Sequence, residues 1–328
     1  MSRSVHYGLF LAFEGIRFQA RLVDGALAFT FLNLHLNAER FRRSMMFNLS
    51  SARHHLVPSA DELKALFVHF LSLPENRAHL LEMAASGQQG YLRPFTVDQD
   101  RSIGVTFPQL PAIRIVAAGY DDYMGEPFRG VVIPGLVRAM GCNGTGNLKL
   151  GTNYLMSVKA VQQAQRILPE ASSALFLDDH PYDPIGGRKI TEWDSSGAMI
   201  ALRDGTVVRI PDSPLILPSI TVRGLTALLQ RRGTPVEERD MTYGELLDRV
   251  RAREVVTIIS VGTAGVLNRC SSLHLYDGET VEAVMEADPT HRSWSLLGEV
   301  KEEYKALFSH RIAPAEGMVL EEFPALDL

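Results

Sequence analysis

Segments of helical period and segments of strand type alternate along this chain of 328 residues, and that alternation confines it to a mixed α/β (α+β) fold. Ser59-Ala60-Asp61-Glu62 has the form of a capping box, and Leu63, Leu66, Phe67, Phe70 and Leu71 then recur at helical spacing. Residues 38–46 read as a short helix capped by Asn37 and carrying Arg40. Residues 90–95 and 113–118 read as strands, the second rich in β-branched side chains. Further on, residues 157–168 predict a helix and 174–177 a buried strand. Ile220 opens an apolar helix through Leu225, Leu228 and Leu229, with Gly233 where a helix end favours glycine. Thr242-Tyr243-Gly244-Glu245 has the form of a second capping box. Residues 255–261 form an apolar strand ending at Gly262, and Leu296, Leu297, Val300, Tyr304, Leu307 and Phe308 mark a last helix. A chain of this length suits two unequal domains. The polar, turn-rich run from Tyr120 to Pro127 places the linker at 120–131, between a small α/β domain at 1–119 and a larger one at 132–328.

Composition narrows the partners. The chain is 46% hydrophobic and 22% charged, as in ordinary globular proteins, and its net charge of −5 comes with no polybasic block. Nucleic acid and anionic membranes are therefore not expected as partners. No apolar run reaches transmembrane length, and Glu14 interrupts the short run from Leu9 to Phe13, which makes a poor signal peptide. Two distant cysteines, Cys142 and Cys270, suggest neither a disulfide framework nor a zinc site, and no metal is expected. A cytoplasmic location is the expectation.

Chemistry concentrates around Lys149, in Gly144-Thr145-Gly146-Asn147-Leu148-Lys149-Leu150-Gly151-Thr152-Asn153-Tyr154. Small neighbours on both sides let a planar cofactor approach the amine. A desolvated, positioned lysine amine can form a Schiff base with an aldehyde such as that of pyridoxal 5′-phosphate. Such a cofactor also needs an acid facing its ring nitrogen, a phosphate cradle and a site for the substrate carboxylate. Glu192, in Ile190-Thr191-Glu192, is the candidate acid. Ile220 and Thr221 open a helix whose N–H groups and dipole suit a phosphate. The plain alternatives are a solvated turn lysine, an exposed strand-end glutamate and, for Arg40 with Arg42 and Arg43, a solvated basic helix face. A nucleotide loop at Gly144-Thr145-Gly146 is discounted, because neither a P-loop nor the full dinucleotide fingerprint is present.

The lysine run resembles that of the fold-type IV (class IV) pyridoxal-phosphate enzymes, and most closely the branched-chain amino acid aminotransferases. Leu217-Pro218-Ser219-Ile220-Thr221 is similar to that family's Leu-Pro-Gly-Ile-Thr, and Gly262-Thr263-Ala264 to its Gly-Thr-Ala. Tyr91-Leu92-Arg93-Pro94 resembles its Tyr-Ile-Arg-Pro. His6-Tyr7-Gly8, Phe13-Glu14-Gly15-Ile16-Arg17, Gly104-Val105 and Tyr123-Met124-Gly125 resemble further family motifs in family order. The resemblance implies a fold-type IV enzyme of two α/β domains with pyridoxal 5′-phosphate at the domain interface. It implies transamination of an aliphatic L-amino acid with a 2-oxo acid such as 2-oxoglutarate, and a homodimer. Lys149, Glu192 and Tyr154 would be catalytic. Arg40, Lys149, Tyr154, Glu192, Ile220, Thr221 and Thr263 would hold the cofactor. Tyr7, Phe13, Tyr91, Arg93, Val105, Tyr123, Thr263 and Ala264 would contact substrate, some of them from a partner subunit.

The chain departs from the family after Glu192, where Trp193-Asp194-Ser195-Ser196 replaces small residues and an asparagine. A tryptophan there is expected to narrow the pocket or stack near the ring. The alternatives within the resemblance are an aminodeoxychorismate lyase, a D-amino-acid aminotransferase, or a non-catalytic paralogue that binds the cofactor. Tyr91-Leu92-Arg93 speaks against the first two, and Lys149 with Glu192 against the third.

Overall fold

A computed structural model describes residues 11–101, 103–121, 125–139, 141 and 144–328. Its strands in chain order are β1 (Ile16–Val23), β2 (Ala26–Leu32), β3 (Gln89–Asp98), β4 (Pro111–Tyr120), β5 (Phe128–Val132), β6 (Ala171–Leu177), β7 (Ile190–Trp193), β8 (Gly197–Leu202), β9 (Val207–Arg209), β10 (Val236–Glu238), β11 (Val255–Gly262), β12 (Val266–Tyr276), β13 (Val281–Glu286) and β14 (Leu320–Pro324). By its contacts the chain forms two units. One comprises residues 1–121, 148–152 and 306–328; the other comprises 122–147 and 153–305. The division is discontinuous where sequence reading places a single boundary. Five residues around Lys149 and the C-terminal tail belong with the first unit, because long-range strand pairing rather than chain order recruits them. The expected linker 120–131 likewise ends inside β5, which lies in the second unit.

In the first unit an antiparallel sheet runs β14-β2-β1-β3-β4. Along β3 burial alternates strictly, as the two-residue period of a strand requires. Leu92 and Thr96 face the core, while Tyr91, Arg93 and Phe95 share the other face. The helix Ala60–Ser72 starts with the expected capping box: Ser59 Oγ accepts from the Glu62 amide and Glu62 accepts from the Ser59 amide. The helix Leu34–Phe47 begins a turn earlier than the sequence suggests, and Asn37 is buried inside it. Its true N-cap is Asn33, in left-handed backbone and paired to Val319 through both backbone and side chain. That partner lies 286 residues away, beyond any local sequence signal.

In the second unit the sheet path β8-β11-β12-β5-β6-β7 closes on itself, through a β7–β8 pairing of Glu192 with Gly197. The β5 pairings to β6 and β12 are parallel, and the other pairings around this ring are antiparallel. Thr242 caps the helix Tyr243–Arg251 through the Glu245 amide. The Glu245 carboxylate turns instead to Arg239 and Arg249, so the box there is one-sided.

Trp193 differs from expectation. It is fully buried in the apolar cluster of this unit, its ring edge-on to Phe128 at 5.0 Å, and its Nε1 donates to the Ile259 carbonyl at 3.1 Å. Neighbouring side chains on a strand leave opposite faces, so a tryptophan next to Glu192 in sequence is turned away from it. It fills core rather than narrowing a pocket. Trp193→Ala should therefore lower stability by about 3–5 kcal/mol, the range for truncating a large buried aromatic. Urea denaturation measures it, and a loss below about 1 kcal/mol would contradict the core assignment.

Candidate active site

Lys149 is held by backbone pairing. The segment 11–14 lies between the Lys149 stretch and β3: the Phe13 amide donates to the Lys149 carbonyl at 3.0 Å and the Glu14 amide to Pro94 at 2.9 Å. The Lys149 amide donates to Ser44 Oγ at 3.0 Å, and that hydroxyl donates to the Arg40 carbonyl one helical turn back. Lys149 is 9% exposed, and its Nζ lies 5.0 Å from the centroid of the Phe13 ring. Lys189, by contrast, is exposed on Asp240, and Lys159 is exposed on its helix.

The same Phe13 ring carries a second cation, Arg93, whose Cζ stands 4.7 Å from its centroid. Arg93 also lies over Tyr91 and donates to the Tyr91 hydroxyl at 2.6 Å. Its buried Nε finds no hydrogen-bond partner among the described residues. A side chain added at Gly15 would displace the Tyr91 hydroxyl, so glycine leaves this tyrosine its place.

Arg40 is not on a solvated helix face. It is buried, while Arg43 is exposed. Its Nε and Nη2 donate to the two oxygens of Glu14 at 2.8 and 2.5 Å, a bidentate pair with Glu14 fully buried. Burial alone would raise the Glu14 carboxyl. The Arg40 charge and hydrogen bond, the Lys149 charge and the Gly15 amide outweigh it and hold the pKa below the usual range.

In the second unit, Glu192 is buried at the seam of the strand ring and is paired to Arg138, also buried. Sequence reading missed Arg138, since one arginine in an apolar run carries no local signal. The Arg138 Nη2 donates as well to the carbonyls of Gly146 and Leu215 at 3.1 Å, and the Leu217 amide donates to Glu192 Oε1 at 3.2 Å. One guanidinium thus ties three stretches: the glycine-rich turn before Lys149, the strand bearing Glu192, and the approach to Ile220. A Cβ on Gly146 would stand 2.5 Å from the Pro214 carbonyl, so this contact demands glycine. Asp194, on the turn after Glu192, accepts from Ser173 Oγ and the Ala174 amide. Burial pushes its carboxyl up.

Ser219 caps the helix Ile220–Arg231, its Oγ accepting from the Val222 amide at 3.2 Å; Ile220 and Thr221 form the first turn and are buried. First-turn amides have no intrahelical acceptor, which makes this end a natural anion site. Thr263 and Ala264 lie half-buried in the turn between β11 and β12. Val266, closing that turn, holds φ at 60°, a strained setting for a β-branched residue. Tyr154 starts the helix Tyr154–Ile167, half-buried, and Val105 is 73% exposed. Tyr7 and Tyr123 lie outside the described residues. Among those described, no group of side chains is arranged to hold a metal, and no helix is long and apolar enough to cross a membrane.

No family model matches the chain. It is 28% identical over 286 residues to a branched-chain-amino-acid aminotransferase of Mycolicibacterium smegmatis, covering 84% of this chain and 71% of that protein. It is 26% identical over 265 residues to the mitochondrial branched-chain-amino-acid aminotransferase of Bos taurus, covering 77% and 64%. A branched-chain amino acid aminotransferase from T.th., crystallised with N-(5′-phosphopyridoxyl)-L-glutamate, superposes with TM-score 0.68 at 20% identity, covering 95% of this chain and 88% of that one. The chain has the fold-type IV architecture. In sequence it is similar to branched-chain-amino-acid aminotransferases.

The Arg138–Glu192 pair yields a stability test. Arg138→Gln leaves a buried carboxylate without its cation and should cost about 3–5 kcal/mol. Adding Glu192→Gln should recover part of that loss. A single variant as stable as the parent would show that the pair holds nothing together.

Proposed function

We propose that this protein is a pyridoxal-phosphate-dependent aminotransferase that passes the amino group of an aliphatic, branched-chain-like L-amino acid to a 2-oxo acid such as 2-oxoglutarate. One observation carries the reading: a buried lysine amine and an arginine, Lys149 and Arg93, share the ring of Phe13. An amino-acid substrate needs both, an amine that exchanges at a carbonyl and a guanidinium for its carboxylate. The named activity of the relatives supports it. So does the phosphopyridoxyl-glutamate bound to the structural neighbour.

The residues present fit the cofactor: a buried amine, a buried carboxylate held by a guanidinium, a helix N-terminus and a second buried arginine. Pyridoxal phosphate, when bound, supplies an aldehyde that captures amines and a ring that accepts electrons. Lys149 would hold the cofactor and then move a proton at the substrate α-carbon as general base and acid. Glu192 would hold the proton on the ring nitrogen, with Arg138 keeping the carboxylate in place. Ile220, Thr221, Thr263 and Arg40 would receive the phosphate, and Tyr154 would stand by as a further polar contact to the cofactor. Tyr91, Arg93 and the Thr263–Ala264 turn would take carboxylate groups, while Phe13 and Val105 offer apolar surface to an aliphatic side chain, joined by Tyr7 and Tyr123. The side chains of Ile103, Val105, Phe107 and Leu110 are exposed in this single chain, and a second copy forming a homodimer would cover such a run. A cytoplasmic location accompanies this reading.

Lys149→Ala, freed of unbound pyridoxal phosphate, should lose both the visible band and borohydride-fixed cofactor, and with them transamination of leucine, isoleucine and valine. Retention of either would sink the assignment. Glu192→Gln should bind the cofactor yet turn over roughly a hundredfold slower, the scale for losing a positioned electrostatic partner. Light scattering should give at least twice the monomer mass; a fully active monomer would refute the dimer.

A further inference from the structure

Glu14 belongs to none of the roles above, yet it is the most thoroughly buried charge around Lys149. Its carboxylate is 0% exposed and grips Arg40 through both oxygens. The residue before it donates its amide to the Lys149 carbonyl, so Glu14 and Lys149 sit on directly paired stretches of backbone. Charge reaches this carboxylate from two elements, and a third stands against the neighbouring Phe13 ring. The helix Leu34–Phe47 brings Arg40, the 148–152 stretch brings Lys149, and β3 brings Tyr91 and Arg93 beyond the Phe13 ring. Two buried cations cannot stand together in a protein interior without a counter-charge.

We propose that Glu14 is the resident counter-ion shared by Arg40 and Lys149, a positioning residue that fixes the guanidinium and sets a negative charge beside the Lys149 nitrogen. This rests on the reading of Lys149 and Arg40 as cofactor-binding groups and adds a residue that reading does not use. Glu14 does not touch the reacting atoms; it acts through two residues that would hold the cofactor. The arrangement also means that an arriving phosphate meets an arginine already neutralised and oriented, rather than a mobile cation.

The test uses Glu14→Gln, which keeps shape and removes charge, and Glu14→Asp, which keeps charge and withdraws it by one methylene. With pyridoxal phosphate bound, the pH midpoint of the visible band should fall by roughly one unit in E14Q, the scale of one nearby opposite charge removed. In E14D it should fall by less. A purely structural role predicts lower stability with the midpoint unmoved. A second measurement needs no bound cofactor. In E14Q, inorganic phosphate becomes the available counter-charge, so it should raise the melting temperature of the apoprotein more than it does for the parent. Equal phosphate increments together with unmoved midpoints overturn the proposal. Should E14Q give no folded protein, E14D decides, and a midpoint at the parental value overturns it. A parent protein that shows no visible band would remove the proposed function, and the phosphate comparison would then decide the role of Glu14 alone.

Discussion

A buried carboxylate persists as an anion only if a cation and hydrogen-bond donors replace the water it gave up. Glu192 meets that condition through Arg138 and the Leu217 amide, and the consequence extends well past one ion pair. The same guanidinium fixes the carbonyls of Gly146 and Leu215, so three stretches distant in sequence are held to one point. The ring of strands closes beside it, at Glu192 and Gly197. Loss of either charge would leave the other stranded in low dielectric, which couples the shape of this region to its electrostatics.

The first unit solves a parallel problem with the opposite sign. Here cations are in excess: Arg40 and Lys149 are both buried, and Arg93 is half-buried on the same side of β3 as Tyr91. Glu14 takes two of them, and the ring of Phe13 stands against two. An aromatic face attracts a cation weakly without neutralising it. That leaves this region suited to an anionic guest, as the proposed function requires.

Much of the secondary structure was legible because it obeys local rules. The Ser59 capping box, the Ser219 start of the helix Ile220–Arg231 and the strand alternation at Tyr91 and Arg93 all follow from near neighbours in sequence. The true start of the helix Leu34–Phe47 was not legible, because Asn33 is set by Val319 at the far end of the chain. The assignment of residues 148–152 to the first unit, decided by pairing with Leu11 and Phe13, was equally hidden.

Residue type and order alone determined the α/β class, the choice of Lys149 and Glu192 as candidates, and the likeness to one family, since each is carried by short motifs. Tertiary structure alone decided which neighbours matter. It turned Trp193 into core, because adjacent strand residues face opposite ways. It drew Arg40 off the surface onto Glu14, and it brought Arg138 to Glu192 across 54 residues. The reason is physical: a buried charge is defined by its counter-charge, and nothing in a linear sequence says which distant residue will supply it.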